Sequence, residues 1–238
     1  MLNTFTIDVE DWYQSTYDFN APVSRLCVSN TQRVLEFLRP CGVKATFFVQ
    51  GLVASVYPEV VKAIDREGHE VQVHGYSHRP LNKMSRQQVE WEIVTAKKTV
   101  EDAIGKPVVG FRAPDFSIDR DAFWIFEILI ENGFRYDSSI FPLRTRRYGV
   151  NGFNRGYSVV NTPSGAIEEL PVSVYEFPRP LKKAIPIGGG GYFRLYPLPF
   201  VQFCFRQLAK EDYPFVIYSH PYEFNPDEWK SLPTPVPL

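Results

Sequence analysis

The chain has 238 residues, 44% of them hydrophobic and 15% aromatic, which supplies a full core and excludes a disordered chain. Its formal net charge of −1 provides no overall field to recruit nucleic acid or an anionic membrane, and Arg144, Arg146 and Arg147, the compact basic cluster, read as a solvated loop. Cys27, Cys41 and Cys204, an odd number without CxxC spacing, form neither a disulfide framework nor a zinc knuckle. No run nears the roughly 20 apolar residues of a membrane span. Acidic residues near the start interrupt what would be the apolar core of a leader, and free thiols suit a reducing compartment, so a cytoplasmic protein is expected.

Residues 2–9 alternate Thr, Phe, Ile and Val and predict a first strand, which ends among Asp8, Glu10 and Asp11. Like charges this close raise one another's pKa, so such a cluster calls for a compensating cation. Ser29 can cap a helix to about Arg39, stopped by Pro40 and Gly42. Val43 to Val49 reads as a buried strand, and 58–67 as a helix with Pro58 in its first turn and Gly68 at its end. Residues 70–73 form a third strand that runs into His74-Gly75-Tyr76-Ser77-His78. Ser85 caps a long helix to about Ile104; Val108 to Phe111 is a strand leading into Arg112-Ala113-Pro114-Asp115. A helix from Asp119 to Glu131 precedes a short strand, 134–136, that meets Asp137.

Helical periodicity is lost between about 141 and 195, where a loop-rich insertion is expected with one strand at Ile167 to Pro171. Gly188 to Gly191, flanked by aromatics, predict close backbone approach or turns with positive φ, and the absence of a Lys-Ser/Thr excludes a phosphate loop. A last helix spans about 198–210, and a final strand, 215–219, ends in His220. Strands alternating with helices predict an α/β fold with a mostly parallel sheet, whose chemistry gathers at the carboxyl ends of its strands. The acids near Asp8, the histidine pair, Arg112, Asp137 and His220 each follow a predicted strand.

Two imidazoles four residues apart, with one carboxylate, make a three-ligand site that leaves a position open, the catalytic rather than the structural pattern for zinc. A second carboxylate, held by Arg112, can take a proton from water, and His220 can protonate a leaving amine. That set can hydrolyse an amide or an ester. His69, lying before its strand, reads as structural.

These residues, in this order along nearly the whole chain, resemble the polysaccharide deacetylase family, the metal-dependent carbohydrate esterases that include the nodulation-factor chitooligosaccharide deacetylase. Asp8-Val9-Glu10-Asp11-Trp12, Gly189-Gly190-Gly191-Tyr192-Phe193-Arg194 and His220-Pro221-Tyr222-Glu223 are similar to the branch found in bacterial exopolysaccharide and O-antigen gene clusters. The resemblance implies a single catalytic domain, a distorted (β/α) barrel of about seven βα units. It implies Asp8 as base, Glu10 or Asp11 with His74 and His78 as metal ligands, and His220 as acid. It adds Arg112 and Asp137 to the catalytic set, and Pro114 to the substrate contacts through the Arg-x-Pro motif. Trp12, Phe141 and Tyr192 offer flat apolar faces for a sugar ring. Gly75 stands where the family has a small hydroxyl residue, and Asp137 is all that remains of the fourth motif. The implied reaction is removal of an N-acyl group from an amino sugar, in a glycan or its nucleotide- or lipid-linked precursor. Zn²⁺ suits the ligands, and Co²⁺ or Fe²⁺ can occupy them. Two rival expectations are a cyclic ureide or imide hydrolase of the same fold and a non-catalytic carbohydrate-binding barrel.

Overall fold

Short runs rich in β-branched and aromatic residues form one curled sheet, with helices packed against its outside. The computed structural model describes residues 3–178, 180–181, 183–211 and 214–232. The strands are β1 (Thr4–Val9), β2 (Thr46–Val49), β3 (Glu70–Val73), β4 (Gly110–Phe111), β5 (Tyr136–Asp137), β6 (Ser158–Thr162), β7 (Gly165–Glu169), β8 (Val174–Glu176), β9 (Ala184–Pro186) and β10 (Val216–Ser219). The main sheet runs β10-β1-β2-β3-β4-β5-β7-β6, and every neighbouring pair is parallel except the β6–β7 hairpin. The expected barrel is therefore present as a curled, incomplete one with seven parallel strands. The expected start of the first strand, at residue 2, lies outside the described residues.

The helices are α1 (Trp12–Thr16), α2 (Leu26–Cys41), α3 (Gly51–Val56), α4 (Pro58–Arg66), α5 (Arg86–Ile104), α6 (Ile125–Glu131), α7 (Gly190–Leu195) and α8 (Leu198–Leu208). Helix α5 shows why its boundaries were legible. Ser85 and Gln88 form a reciprocal capping box at its start, and Gly105 at φ 72° ends it. Its buried Val89, Ile93, Ala96 and Val100 recur at helical spacing and face the core, each large side chain contributing roughly 1.5–3 kcal/mol on burial. Strand β2, buried along its whole length, explains the unbroken apolar run Thr46-Phe47-Phe48-Val49.

Two expectations are revised. Pro40 does not stop α2: it sits in the last turn, and the helix ends at Gly42 in the left-handed region. The stretch 141–195, expected to be loop-rich, also carries β6 to β9 and α7, and β7 pairs with β5 inside the main sheet. Ser158-Val159-Val160-Asn161-Thr162 and Gly165-Ala166-Ile167-Glu168-Glu169 do not alternate apolar with polar residues, so the period-2 signal was weak there.

Candidate active site

Register brings the polar residues to one edge. Ile7 lies opposite Ser219, so Asp8 and His220 come level; Val9, Val49 and Val73 align across β1, β2 and β3, and Phe111 and Asp137 across β4 and β5. Residues immediately beyond these strand ends therefore converge. Asp8, Glu10, His74, His78 and His220 line one cleft of about 140 Å³.

At its floor, Glu10, His74 and His78 are all buried, and one ligand atom from each lies within 4.8 Å of the others. His74 Nδ1 is 2.8 Å from the Arg112 carbonyl oxygen and His78 Nδ1 is 3.1 Å from that of Ser15. A carbonyl only accepts, so each Nδ1 carries a proton and each ring turns its Nε2 inward. Glu10 Oε2 meets both, 3.6 Å from His74 Nε2 and in close contact with His78 Nε2. The other carboxylate oxygen, Oε1, accepts from Ser15 Oγ and from the Tyr222 hydroxyl, whereas Oε2 has no hydrogen-bond donor. A buried carboxylate oxygen without a donor, faced by two Nε2 atoms, calls for a proton or a cation between them. The donor set, one carboxylate and two Nε2 atoms, fits a divalent metal. Burial disfavours the ionised form of Glu10, but His78, His220 and His74 outweigh it and hold the carboxyl well below its usual range. Burial likewise opposes charge on His78, and Glu10 overrides it, raising the ring above the ordinary histidine value.

Of the two carboxylates left open as ligands, Asp11 is turned away. It caps α1, accepting from Gln14 N at 2.9 Å, and its other oxygen accepts from Ser24 N at 2.9 Å. With three donors on its two oxygens, Asp11 serves as a helix cap and lies outside the Glu10–His74–His78 cluster.

Arg112 is fully buried, and its fork reaches four acceptors. Nη1 donates to Asp8 Oδ1 and Thr6 Oγ1, both at 2.7 Å; Nη2 donates to Ser138 Oγ at 2.8 Å and Nε to the Ser138 carbonyl at 3.1 Å. The guanidinium also stacks 4.3 Å over Phe48. Asp8 is thereby fixed through Oδ1 where it lines the cleft.

His220 donates Nδ1–H to Glu223 Oε1 at 2.7 Å, and its Nε2 lies 3.9 Å from Glu10 Oε1. Burial opposes charge on this ring, yet the carboxylates of Glu10, Glu223 and Asp8 prevail and push it up to about 9. Glu223 is itself anchored by Arg194 at 2.9 Å. Gly190 makes this possible, since a Cβ there would stand 1.7 Å from Glu223 Oε2. The glycine run thus serves close approach; none of Gly188 to Gly191 has a positive φ. The sequence reading missed Glu223 as the partner of His220, although its spacing three residues after that histidine was the available signal.

Two further expectations are corrected. Asp137 does not reach the cleft: both its oxygens accept from Ser139, and it lies opposite Glu169 in the sheet, behind the turn that receives Arg112. Pro114 faces the histidine turn rather than the cleft. It packs so tightly on Gly75 (φ 62°) that a Cβ there would lie 2.9 Å from the proline ring, which accounts for glycine at that motif position. Trp12 and Tyr192 line a wider groove of about 780 Å³ beside the cleft, with Tyr222, Trp229 and Arg194. Trp12 stacks on Tyr222 at 5.4 Å. Phe141 is fully buried among Phe116 and Tyr148 and is core. His69 is structural as expected, its Nδ1 accepting from Ala45 N.

Fold and site together define an incomplete, parallel-stranded barrel with a buried carboxylate–imidazole cluster, Glu10, His74 and His78, whose ligand atoms are close enough to hold one metal ion. The family model described as "Polysaccharide deacetylase" matches residues 12–136, and a second, "Domain of unknown function (DUF3473)", matches 138–235. The chain belongs to the polysaccharide deacetylase family. A peptidoglycan deacetylase of Helicobacter pylori is 32% identical over 113 residues, covering 45% of this chain and 36% of that protein. A chitooligosaccharide deacetylase of Azorhizobium caulinodans is 36% identical over 87 residues, covering 36% of this chain and 41% of that one. The matched stretches thus span well under half the length of these curated relatives. Among solved structures, a polysaccharide deacetylase candidate from Mycobacterium smegmatis superposes with a TM-score of 0.69 at 24% identity, covering 95% of this chain and 79% of that one. Puue allantoinase superposes with a TM-score of 0.65 at 14% identity, covering 95% and 80%. Both likenesses establish the fold alone.

Proposed function

We propose that this chain is a divalent-metal-dependent deacetylase that removes an N-acetyl group from an amino sugar. The observation that carries the reading is the buried Glu10 Oε2, without a donor and facing two Nε2 atoms at the bottom of a cleft that also holds Asp8 and His220. Glu10, His74 and His78 would hold the ion, Zn²⁺ being the best match to the donor set. When bound, such an ion acidifies water and polarises a carbonyl oxygen.

The chain's own residues do the rest. Arg112 pairs with Asp8 and aims it, so that the carboxylate can accept a proton from the attacking water. His220, with Nδ1–H fixed on Glu223, presents Nε2–H to the amine that leaves. Glu223 is a positioning residue here, selecting the ring's orientation much as a carboxylate does in other histidine dyads. Phe116 and Tyr218 flank the narrow cleft and leave room for a small acyl group.

Relatives named for peptidoglycan and chitooligosaccharide deacetylation support an amino sugar as substrate, and the aromatic groove beside the cleft supports a glycan. The resemblance of its motifs to the exopolysaccharide and O-antigen branch, together with the free cysteines, supports a further reading: a cytoplasmic step on a precursor of surface polysaccharide or O-antigen. The test is acetate release from N-acetylated chitooligosaccharides, peptidoglycan fragments and nucleotide-linked N-acetylhexosamines by metal-loaded protein. Release from any of these that stops on chelation is the expected result. Hydrolysis of allantoin-like rings with no acetate from N-acetyl sugars would overturn it in favour of the ureide reading.

A further inference from the structure

Behind the cleft lies a second carboxyl pair that the proposed reaction does not use. Asp137, at the end of β5, and Glu169, at the end of β7, lie directly opposite each other in the parallel register and are both fully buried. Glu169 Oε2 has no donor among the described residues. Two ionised carboxylates cannot share a dry site, and the nearby cation, Arg112, is already committed to Asp8. One proton between them removes a charge and gives the orphaned oxygen its partner.

The pair grips the turn at 138–140. Asp137 accepts from Ser139 N at 2.8 Å and Ser139 Oγ at 2.7 Å, and Glu169 Oε1 accepts from Ile140 N at 3.1 Å. That turn is what Arg112 rests on: Ser138 receives its Nε and Nη2, and Ser139 Oγ receives the neighbouring Ala113 N at 2.7 Å. We infer that Asp137 and Glu169 share one proton and act together as positioning residues, holding the turn on which Arg112, and through it Asp8, is seated. This rests on the reading of Asp8 as the base. The groups that face the pair are Arg112, from the end of β4, and Tyr136, whose hydroxyl donates to Glu70. Burial and the partner carboxylate push Glu169 well above the usual carboxylate range, in keeping with a retained proton.

The test uses the full chain. Infrared spectra at pH 7 are expected to show a buried protonated-carboxyl band that E169Q abolishes. Nitrogen-15 NMR is expected to show the Arg112 Nε–H protected in wild type and in E169Q, whose amide can donate to Asp137, and unprotected in E169A. In turnover, E169A is expected to lose about 10- to 100-fold in kcat with KM and bound metal unchanged, while E169Q stays near wild type. If E169A does not fold, D137N, which replaces one acceptor for Ser139, carries the same comparison. The inference is overturned by an absent carboxyl band in wild type, by an unmoved Arg112 signal in E169A, or by a loss confined to KM or metal content. Failure of every N-acetyl sugar to react would count against the proposed reaction alone, because the band and the Arg112 signal are read without substrate.

Discussion

Replacing Arg112 with Met isolates the most heavily committed side chain in the molecule. The Arg112–Asp8 pair is 2.7 Å apart with side chains 0% and 3% exposed, so solvent screening gives no discount. Met keeps much of the apolar stem but leaves Asp8 buried without its cation, a loss of about 3–5 kcal/mol when one partner of a buried pair is removed. The Ser138 and Thr6 contacts are to neutral acceptors and add about 1 kcal/mol each at most, less where the pocket relaxes. Loss of stacking on Phe48 adds up to about 2 kcal/mol. We expect R112M to lower the unfolding free energy by about 4–6 kcal/mol, a large share of the roughly 5–15 kcal/mol typical of a domain. R112K, which keeps the charge but not the fork, should lose about half of that. The assay is urea unfolding at constant pH, read as midpoint and slope. The double variant D8L/R112M, with neither charge, should recover most of the loss. An R112M protein within about 1 kcal/mol of wild type, or a double variant no better than the single, would refute the reasoning that desolvated charge dominates this site.

Elemental analysis of purified protein separates the two acidic neighbours: E10A, H74A and H78A should each lose most bound divalent metal, whereas D11A should retain it and lose about 0.5–2 kcal/mol of stability as a missing helix cap. Steady-state kinetics should show E223A and G190A lowering kcat by about 10- to 100-fold with metal content intact, since one removes the partner of His220 and the other displaces it; wild-type kcat in both would remove Glu223 from the mechanism. The Asp137–Glu169 pair makes a signed pH prediction. A native carboxyl held above its unfolded value contributes fully below that value, about 4.5 for Glu169, and its contribution falls as pH rises toward the native one. Unfolding free energy of wild type relative to E169Q should therefore decline by up to about 1.4 kcal/mol per pH unit above pH 5; a flat difference would show that no proton is retained.

Local chemistry in the sequence determined much of this protein. Capping residues, glycine stops and apolar runs placed α4, α5, α8 and the strands β1, β3 and β10 to within a few residues, because those signals act over a turn or a single strand. Asp8, His74, His78, Arg112 and His220 were legible as candidates because each lies at or just beyond the carboxyl end of a readable strand, and a parallel sheet collects such residues at one edge. Only tertiary structure placed Glu10, and not Asp11, beside the two histidines: the two acids are adjacent, and Asp11 is held away by Ser24, thirteen residues on. It likewise withdrew Asp137 into a pair with Glu169, thirty-two residues on, and gave His220 a different carboxylate, Glu223, in a space that Gly190 leaves free. Side chains of one chemical type compete for the same partners, and which one wins depends on packing distances that no spacing along the chain encodes.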